Sequence, residues 1–299
     1  MKLAFLITAY KYPDQLARLT RRLATSFPGC SQHVHVDAKY DVVPFVAATH
    51  PDVDVQFLRS RQKVHWGAFS ATRAIGLLAD AALASGCDRA VLLSEQCYPI
   101  RPAAELVALF EENADREFVD ARLLRTEWPA ALARFDRYYF PDVKPDWVCN
   151  TAERVANTVL PRREPPDDLE LYGGSTWWSL TRDALEHLRA PEKRARADRF
   201  FRTTACADEA YVQTIMMNEP RFASRIAPLL TYVRFDRAVS TDHPVVWTTA
   251  ELPELAASGC FFARKFDERI DVSVLDALDA LIETGIVADA AKKGVPGQG

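Results

Sequence analysis

Residues 3–38 read "LAFLITAYKYPDQLARLTRRLATSFPGCSQHVHVDA". The opening run, Leu3 to Tyr10, is almost continuously apolar, the pattern of a strand covered on both faces. The period then changes. Leu16, Leu19, Leu23 and Phe27 fall on one helical stripe, with arginines opposite. "QHVHVDA" returns to period two. Strand, helix and strand in so short a span predict a parallel pair joined by a crossover helix.

The same alternation continues outward. "VDVQFLRS" (residues 53–60) has period two, a helix is expected from about Ala68 to Ala84, and "RAVLLSE" (residues 89–95) reads as another buried strand. Together these predict an α/β fold with a mostly parallel central sheet and helices on both faces. Such sheets bind ligands at the carboxyl ends of their strands, which points to Thr8-Ala9-Tyr10, Asp37 and Ser94-Glu95. From about Leu123 to Leu171 the pattern weakens into stretches rich in Arg, Pro, Asp, Trp and Tyr, expected as long loops and short helices over the sheet. Order returns with "LYGGSTWWSLTRDALEHL" (turn, strand, helix), "ADEAYVQTIMMN" (helix) and "VSVLDALDALIETG" (a last amphipathic helix). The expected organisation is one catalytic domain over residues 1–288, with a loop-rich, acceptor-side insertion at about 123–170 and a flexible tail over 289–299.

Composition limits the function. The chain has 299 residues, 48% apolar and 26% charged, with a formal net charge of −4. That balance suits a soluble globular protein and speaks against nucleic-acid binding, which normally needs a basic stripe. No run approaches the roughly 18 apolar residues of a spanning helix, and "MKLAFLITAY" lacks the cleavage signal of a leader peptide. A cytoplasmic location is the expectation. Six cysteines lie scattered without C-x-x-C spacing, so reduced thiols are expected.

Several residues could carry chemistry. "FFARKFDERI" (residues 261–270) places Arg264 and Lys265 together among apolar neighbours, a cation pair that needs an anion. Asp208 and Glu209 stand where "DEAYVQTIMMN" begins, and serve either as helix-capping acids or as a general base in a cleft. Asp37 follows a strand, as an Asx-turn residue or as a ligand to a ribose or base edge. In "LYGGSTWW" the paired glycines allow close backbone approach. "DVD" at Asp52 to Asp54 precedes the fourth strand and is rejected as a metal site. His33 and His35 share a strand face without a third ligand.

The order of these blocks resembles the core-2/I-branching glycosyltransferases, the family that also holds peptide O-xylosyltransferases (glycosyltransferase family 14). The likeness runs through "AFLITAY", "VHVDAK", "VHWGAFSATRA", "LLSEQCYPI", "GGSTWWSLTRDALEHL", "ADEAYVQTI" and "FFARKFD", and fades between about residues 123 and 170. The resemblance implies a GT-A fold and an inverting, metal-independent transfer from a UDP-sugar to a glycan or glycosylated acceptor, with no cofactor. It implies Glu209 as catalytic base with Asp208 beside it, and Lys265, with Arg264 adjacent, at the diphosphate. It implies Asp37 near uracil and ribose, Trp66 on the nucleotide side, and Gly174 and Ser175 on the sugar side. Glu95 and Cys97 depart from the Gly and Asp common in the family, so donor-sugar contacts there are expected to differ. Arg234, Arg237 and His243 are candidates for a second phosphate contact, and Glu127, Trp128, Arg134 and Tyr138 for acceptor contacts. A bacterial-type enzyme using GlcNAc or xylose is the leading expectation. The alternatives are another UDP-hexose donor, or a non-catalytic glycan-binding protein on a degenerate transferase fold.

Overall fold

The computed structural model describes residues 1–166, 168–236 and 243–284. Arg237 and the expected tail over 289–299 lie outside the described residues.

The central sheet has seven strands. From one edge they are β10 (Ile226–Ala227), β6 (Glu117–Val119), β9 (Trp178–Thr181), β4 (Arg89–Ser94), β1 (Leu3–Ala9), β2 (Ser31–Val36) and β3 (Gln56–Phe57). Every pairing is parallel except those of β9, which runs antiparallel to both β4 and β6. The mostly parallel α/β architecture is therefore the one expected. The "VDVQFLRS" alternation yields less strand than its pattern suggests, since only Gln56 and Phe57 pair with β2.

The chain moves from β1 outward to β2 and β3, then returns past β1 to β4. Helix α1 (Pro13–Ser26) serves the outward step and α3 (Phe69–Ala84) the return. Right-handed crossovers in opposite directions put these helices on opposite faces. The reversal leaves a switch point between the carboxyl ends of β1 and β4, where Thr8 and Ser94 are in register. In α1, Leu16, Leu19 and Leu23 are fully buried and Phe27 nearly so, as the stripe predicts. The arginines opposite meet the acids of α11 (Ser273–Thr284): Arg18 Nη2 lies 2.6 Å from Asp279 and Arg22 Nη2 lies 2.9 Å from Glu283. Short helices α2 (Val43–Ala48), α4 (Ala103–Glu112), α9 (Pro220–Ala223) and α10 (Leu252–Ala257) fill connections.

A smaller sheet orders β11 (Thr231–Val233), β12 (Phe262–Arg264) and β5 (Cys97–Pro99). Its β12 ends on Arg264 and so delivers the cation pair. Strands β7 (Arg122–Leu123) and β8 (Tyr172–Gly173) form a short ladder, and between them the described residues hold a 3-10 turn, Pro129–Arg134, and helix α5 (Asp146–Val159). Helix α6 (Arg182–Arg189) packs on α3, and α7 (Pro191–Phe201) and α8 (Tyr211–Met217) pack on α6 and on each other. Among the described residues, no helix is long and apolar enough to cross a membrane.

Arg89 fastens the sheet to the loop after α4. It is 1% exposed, and its guanidinium donates to the carbonyls of Asn113 (3.3 Å), Ala114 (3.2 Å) and Arg116 (2.9 Å) while lying over the Phe110 ring. Arg89→Ala would leave those carbonyls unmet and open a void. A buried polar group left unsatisfied costs about 1–3 kcal/mol and a large-to-small change in the core adds a cavity cost, so urea unfolding should show destabilisation of at least that scale. A variant as stable as the parent would refute the anchoring role.

Candidate active site

A cleft of about 530 Å³ opens at the switch point. Its walls collect Thr8, Tyr10, Asp37, Trp66, Ser94, Glu95, Asp208, Glu209, Arg264 and Lys265, residues far apart in sequence. Topology explains the convergence, because the carboxyl ends of β1, β2 and β4 all reach this edge.

The segment after β12 is clamped along its backbone. Trp247 Nε1 donates to the Arg264 carbonyl (2.8 Å), Trp247 N to the Lys265 carbonyl (3.0 Å), and Phe266 N to the Gln96 carbonyl (2.9 Å). Asp267 accepts from Tyr12 Oη (2.7 Å) and from Arg269 (3.0 Å); these donors, the arginine foremost, hold its carboxyl down at about 2. The Arg264 guanidinium lies 4.5 Å from the Trp177 ring centroid, and its buried Nε has no hydrogen-bond partner. Lys265 is partly buried, and burial together with the charges of Lys11 and Arg264 pushes its ammonium below the usual lysine range. Lys11 lies over the rings of Tyr10 (5.0 Å) and Tyr12 (4.7 Å). Among the described residues, none of these three cations makes an ion pair. Lys11, Arg264 and Lys265 all line the cleft, an arrangement that could meet an anion.

The acidic turn lines the same cleft. Asp208 and Glu209 occupy a 3-10 turn, Ala207–Glu209, ahead of α8, and neither caps that helix. Asp208 accepts instead from Thr176 Oγ1 (3.0 Å), and Glu209 forms an ion pair with Arg134. Burial raises both carboxyls above their ordinary range; the Asp208 charge pushes Glu209 further up, while Arg134 pulls it down. The paired glycines shape this turn rather than the cleft wall. A side chain at Gly174 would come within 2.0 Å of the Asp120 carbonyl oxygen, and the Gly174 amide donates to the Glu209 carbonyl (2.8 Å). Ser175 N donates to Asp120 Oδ2 (3.0 Å). Gly174 and Ser175 therefore stand behind the cleft, and Thr176 and Trp177 line it.

Of the residues expected at a nucleotide, Asp37 lines the cleft while its Oδ1 accepts from Lys39 N (2.9 Å) and Val64 N (3.2 Å), an Asx-type turn. Trp66 is 76% exposed at the rim, an uncovered flat face, and Tyr10 and Tyr40 pair nearby with centroids 5.9 Å apart. His35 accepts from Gln62 N (2.8 Å). The Trp66 loop and the acidic turn are joined, since Cys206 N donates to the Gly67 carbonyl (2.8 Å). Asp52 and Asp54 are exposed and outside the cleft. Of the candidates for a second phosphate contact, His243 lines the cleft, whereas Arg234 pairs with Glu254 and lies over Trp247.

Glu95 fills the position where the resemblance leads to a glycine. It is 1% exposed, accepts weakly from Tyr10 N (3.3 Å), and makes no ion pair. Burial lifts its carboxyl to about 7, against partial relief from backbone amides and Arg264. A carboxyl raised on folding contributes stability at low pH that is lost as pH rises through its folded value. Glu95→Gln should consequently raise Tm more at pH 8 than at pH 5. Equal shifts at both would show that Glu95 does not ionise in that window.

Lys11 and Arg134 complete the site, and sequence reading assigned neither of these roles. Lys11 could have been found from its position immediately after the β1 end. Nothing local marks Arg134, which reaches Glu209 across 75 residues.

The class is now defined. A family model described as "Core-2/I-Branching enzyme" matches residues 3–254, and the chain belongs to that family. Among curated proteins, Xylosyltransferase 2 of Mus musculus is 25% identical over 203 residues, 62% of this chain and 22% of that protein. Xylosyltransferase oxt of Drosophila melanogaster is 23% identical over 303 residues, 93% of this chain and 33% of that protein. The chain thus spans between a fifth and a third of the length of these relatives. Mouse xyloside xylosyltransferase 1 in its apo form superposes with a TM-score of 0.41 at 13% identity, over 88% of this chain and 97% of that one.

Proposed function

We propose that this chain is an inverting, metal-independent glycosyltransferase that moves a sugar from a UDP-sugar to an acceptor hydroxyl with β-linkage. The observation that carries the reading is that the cations Lys11, Arg264 and Lys265, none of them in an ion pair among the described residues, line the same cleft as a raised carboxyl, Glu209. A departing nucleoside diphosphate accumulates negative charge, and fixed cations in a desolvated site stabilise it as a divalent metal would. Glu209, held above the ordinary glutamate range and paired with Arg134, accepts the acceptor hydroxyl's proton as that oxygen attacks the anomeric carbon from the face opposite UDP. Trp66 and Asp37 supply stacking and hydrogen-bonding surface for the nucleoside. The curated relatives are named xylosyltransferases, which favours xylose over GlcNAc as the transferred sugar.

The test is UDP release from a panel of UDP-sugars, with and without EDTA. Turnover of one donor that persists in EDTA supports the reading and names the sugar. Turnover abolished by EDTA would overturn metal independence.

A further inference from the structure

One short segment of the cleft wall touches both the acidic turn and the cations. Thr176 Oγ1 donates to Asp208 Oδ2 (3.0 Å), and the ring of the next residue, Trp177, carries the Arg264 guanidinium at 4.5 Å. That segment is held along its backbone, since Gln213 Nε2 donates to the Ser175 carbonyl (2.6 Å) and Trp177 N to Ser175 Oγ (3.4 Å). The carboxyls lining the cleft are those of Asp37, Glu95, Asp208 and Glu209. Asp37 accepts from two backbone amides, Glu95 is 1% exposed, and Glu209 pairs with Arg134. Asp208 is less committed. It is partly exposed, makes no ion pair among the described residues, and takes one side-chain hydrogen bond, from Thr176. A carboxylate offers about four acceptor positions, so Asp208 keeps capacity for a donor group that enters the cleft.

We propose that Asp208, held by Thr176, accepts a hydrogen bond from a ring hydroxyl of the transferred sugar and thereby helps select the donor. This role rests on the transferase reading above and deepens it. In an inverting transfer the base and the leaving group lie on opposite faces of the anomeric carbon, so the sugar ring sits between Glu209 and the cations. Thr176 and Trp177 line that interval, because one touches Asp208 and the other Arg264. The charges of Arg134, the partner of Glu209, and of Arg264 both act on Asp208, as a position along the interval requires. A sugar presents hydroxyl donors, and a hydrogen bond to an ionised acceptor is stronger than one to a neutral acceptor. The Thr176 oxygen can serve as a second acceptor, since its own proton is directed at Asp208.

UDP-xylose and its 2-, 3- and 4-deoxy analogues are the probes, with UDP release measured on the full chain and water as the acceptor. The parent should lose about 10–100-fold in kcat/KM with one of the three analogues, the worth of one hydrogen bond to a charged group. In Asp208→Asn that loss should shrink by about tenfold, toward that of a neutral acceptor, while the ratios among the other donors stay as in the parent. Thr176→Val, which releases the carboxyl from its tether, should reduce the same loss in part, and it decides alone if Asp208→Asn does not fold. An Asp208 that acted only through the charge it places on Glu209 would, when changed to Asn, alter all four rates alike and move the pH limb, and that result would overturn the role. So would a parent that uses all three analogues as well as UDP-xylose, or a penalty left intact in the variants. A parent that releases no UDP from UDP-xylose would fail the transferase reading with xylose as its sugar, and this role with it, whereas absent or unaltered discrimination in an active parent strikes the role alone.

Discussion

Glu209→Gln is expected to lower sugar transfer by about 10²–10⁴-fold, the range a positioned general base contributes, while leaving UDP affinity nearly unchanged. Glutamine keeps the size and can still receive a hydrogen bond from Arg134, so the turn should hold its shape. The pH dependence carries a second signature. The base acts ionised, so transfer should rise with pH through the carboxyl's value, which burial and the Asp208 charge place above the ordinary glutamate range. That limb should vanish in the glutamine variant. In Arg134→Ala it should move to higher pH, because the removed cation is what draws the carboxyl down. Rates of the parent and the glutamine variant within threefold of each other would remove Glu209 from the chemistry.

Lys265→Ala should weaken UDP binding by about 10–100-fold, the worth of one or two charge-assisted hydrogen bonds, and should lower transfer further than binding. The excess in transfer follows from leaving-group charge, which is larger in the transition state than in the bound donor. Lys265→Arg should recover part of the affinity, since the charge remains while its point-like geometry is lost. Isothermal titration with UDP, beside transfer rates, separates the two effects. Unchanged UDP affinity in the alanine variant would place the diphosphate elsewhere in the cleft, with Arg264 and Lys11 the next residues to vary.

Part of this arrangement was legible in the chain. The stripe of Leu16, Leu19 and Leu23 specified α1, and the apolar run of Leu3–Ala9 specified a doubly covered strand, because periodicity of burial is a local property written in consecutive residues. The strand ends at Tyr10, Asp37 and Glu95 followed from the parallel order. Arg264 and Lys265 could be singled out because adjacent cations among phenylalanines are locally anomalous. Asp208 and Glu209 were ambiguous, since a capping acid and a cleft acid look identical in sequence. The 3-10 turn, with Thr176 and Arg134 as partners, resolves them away from capping.

The sequence by itself determined the element order, the mostly parallel sheet and the edge at which the strand ends Tyr10, Asp37 and Glu95 gather, since all three follow from the spacing of apolar residues and from the handedness of crossovers. Only the tertiary structure decided which side chains share the cleft. Lys11 joins Lys265 across the whole length of the domain, Arg134 reaches Glu209 from a region with almost no periodicity, and Gly174 supports the acidic turn from behind instead of lining the cleft. Those relations depend on side-chain reach and charge between segments remote in sequence, and such long-range pairings leave no trace in local residue order.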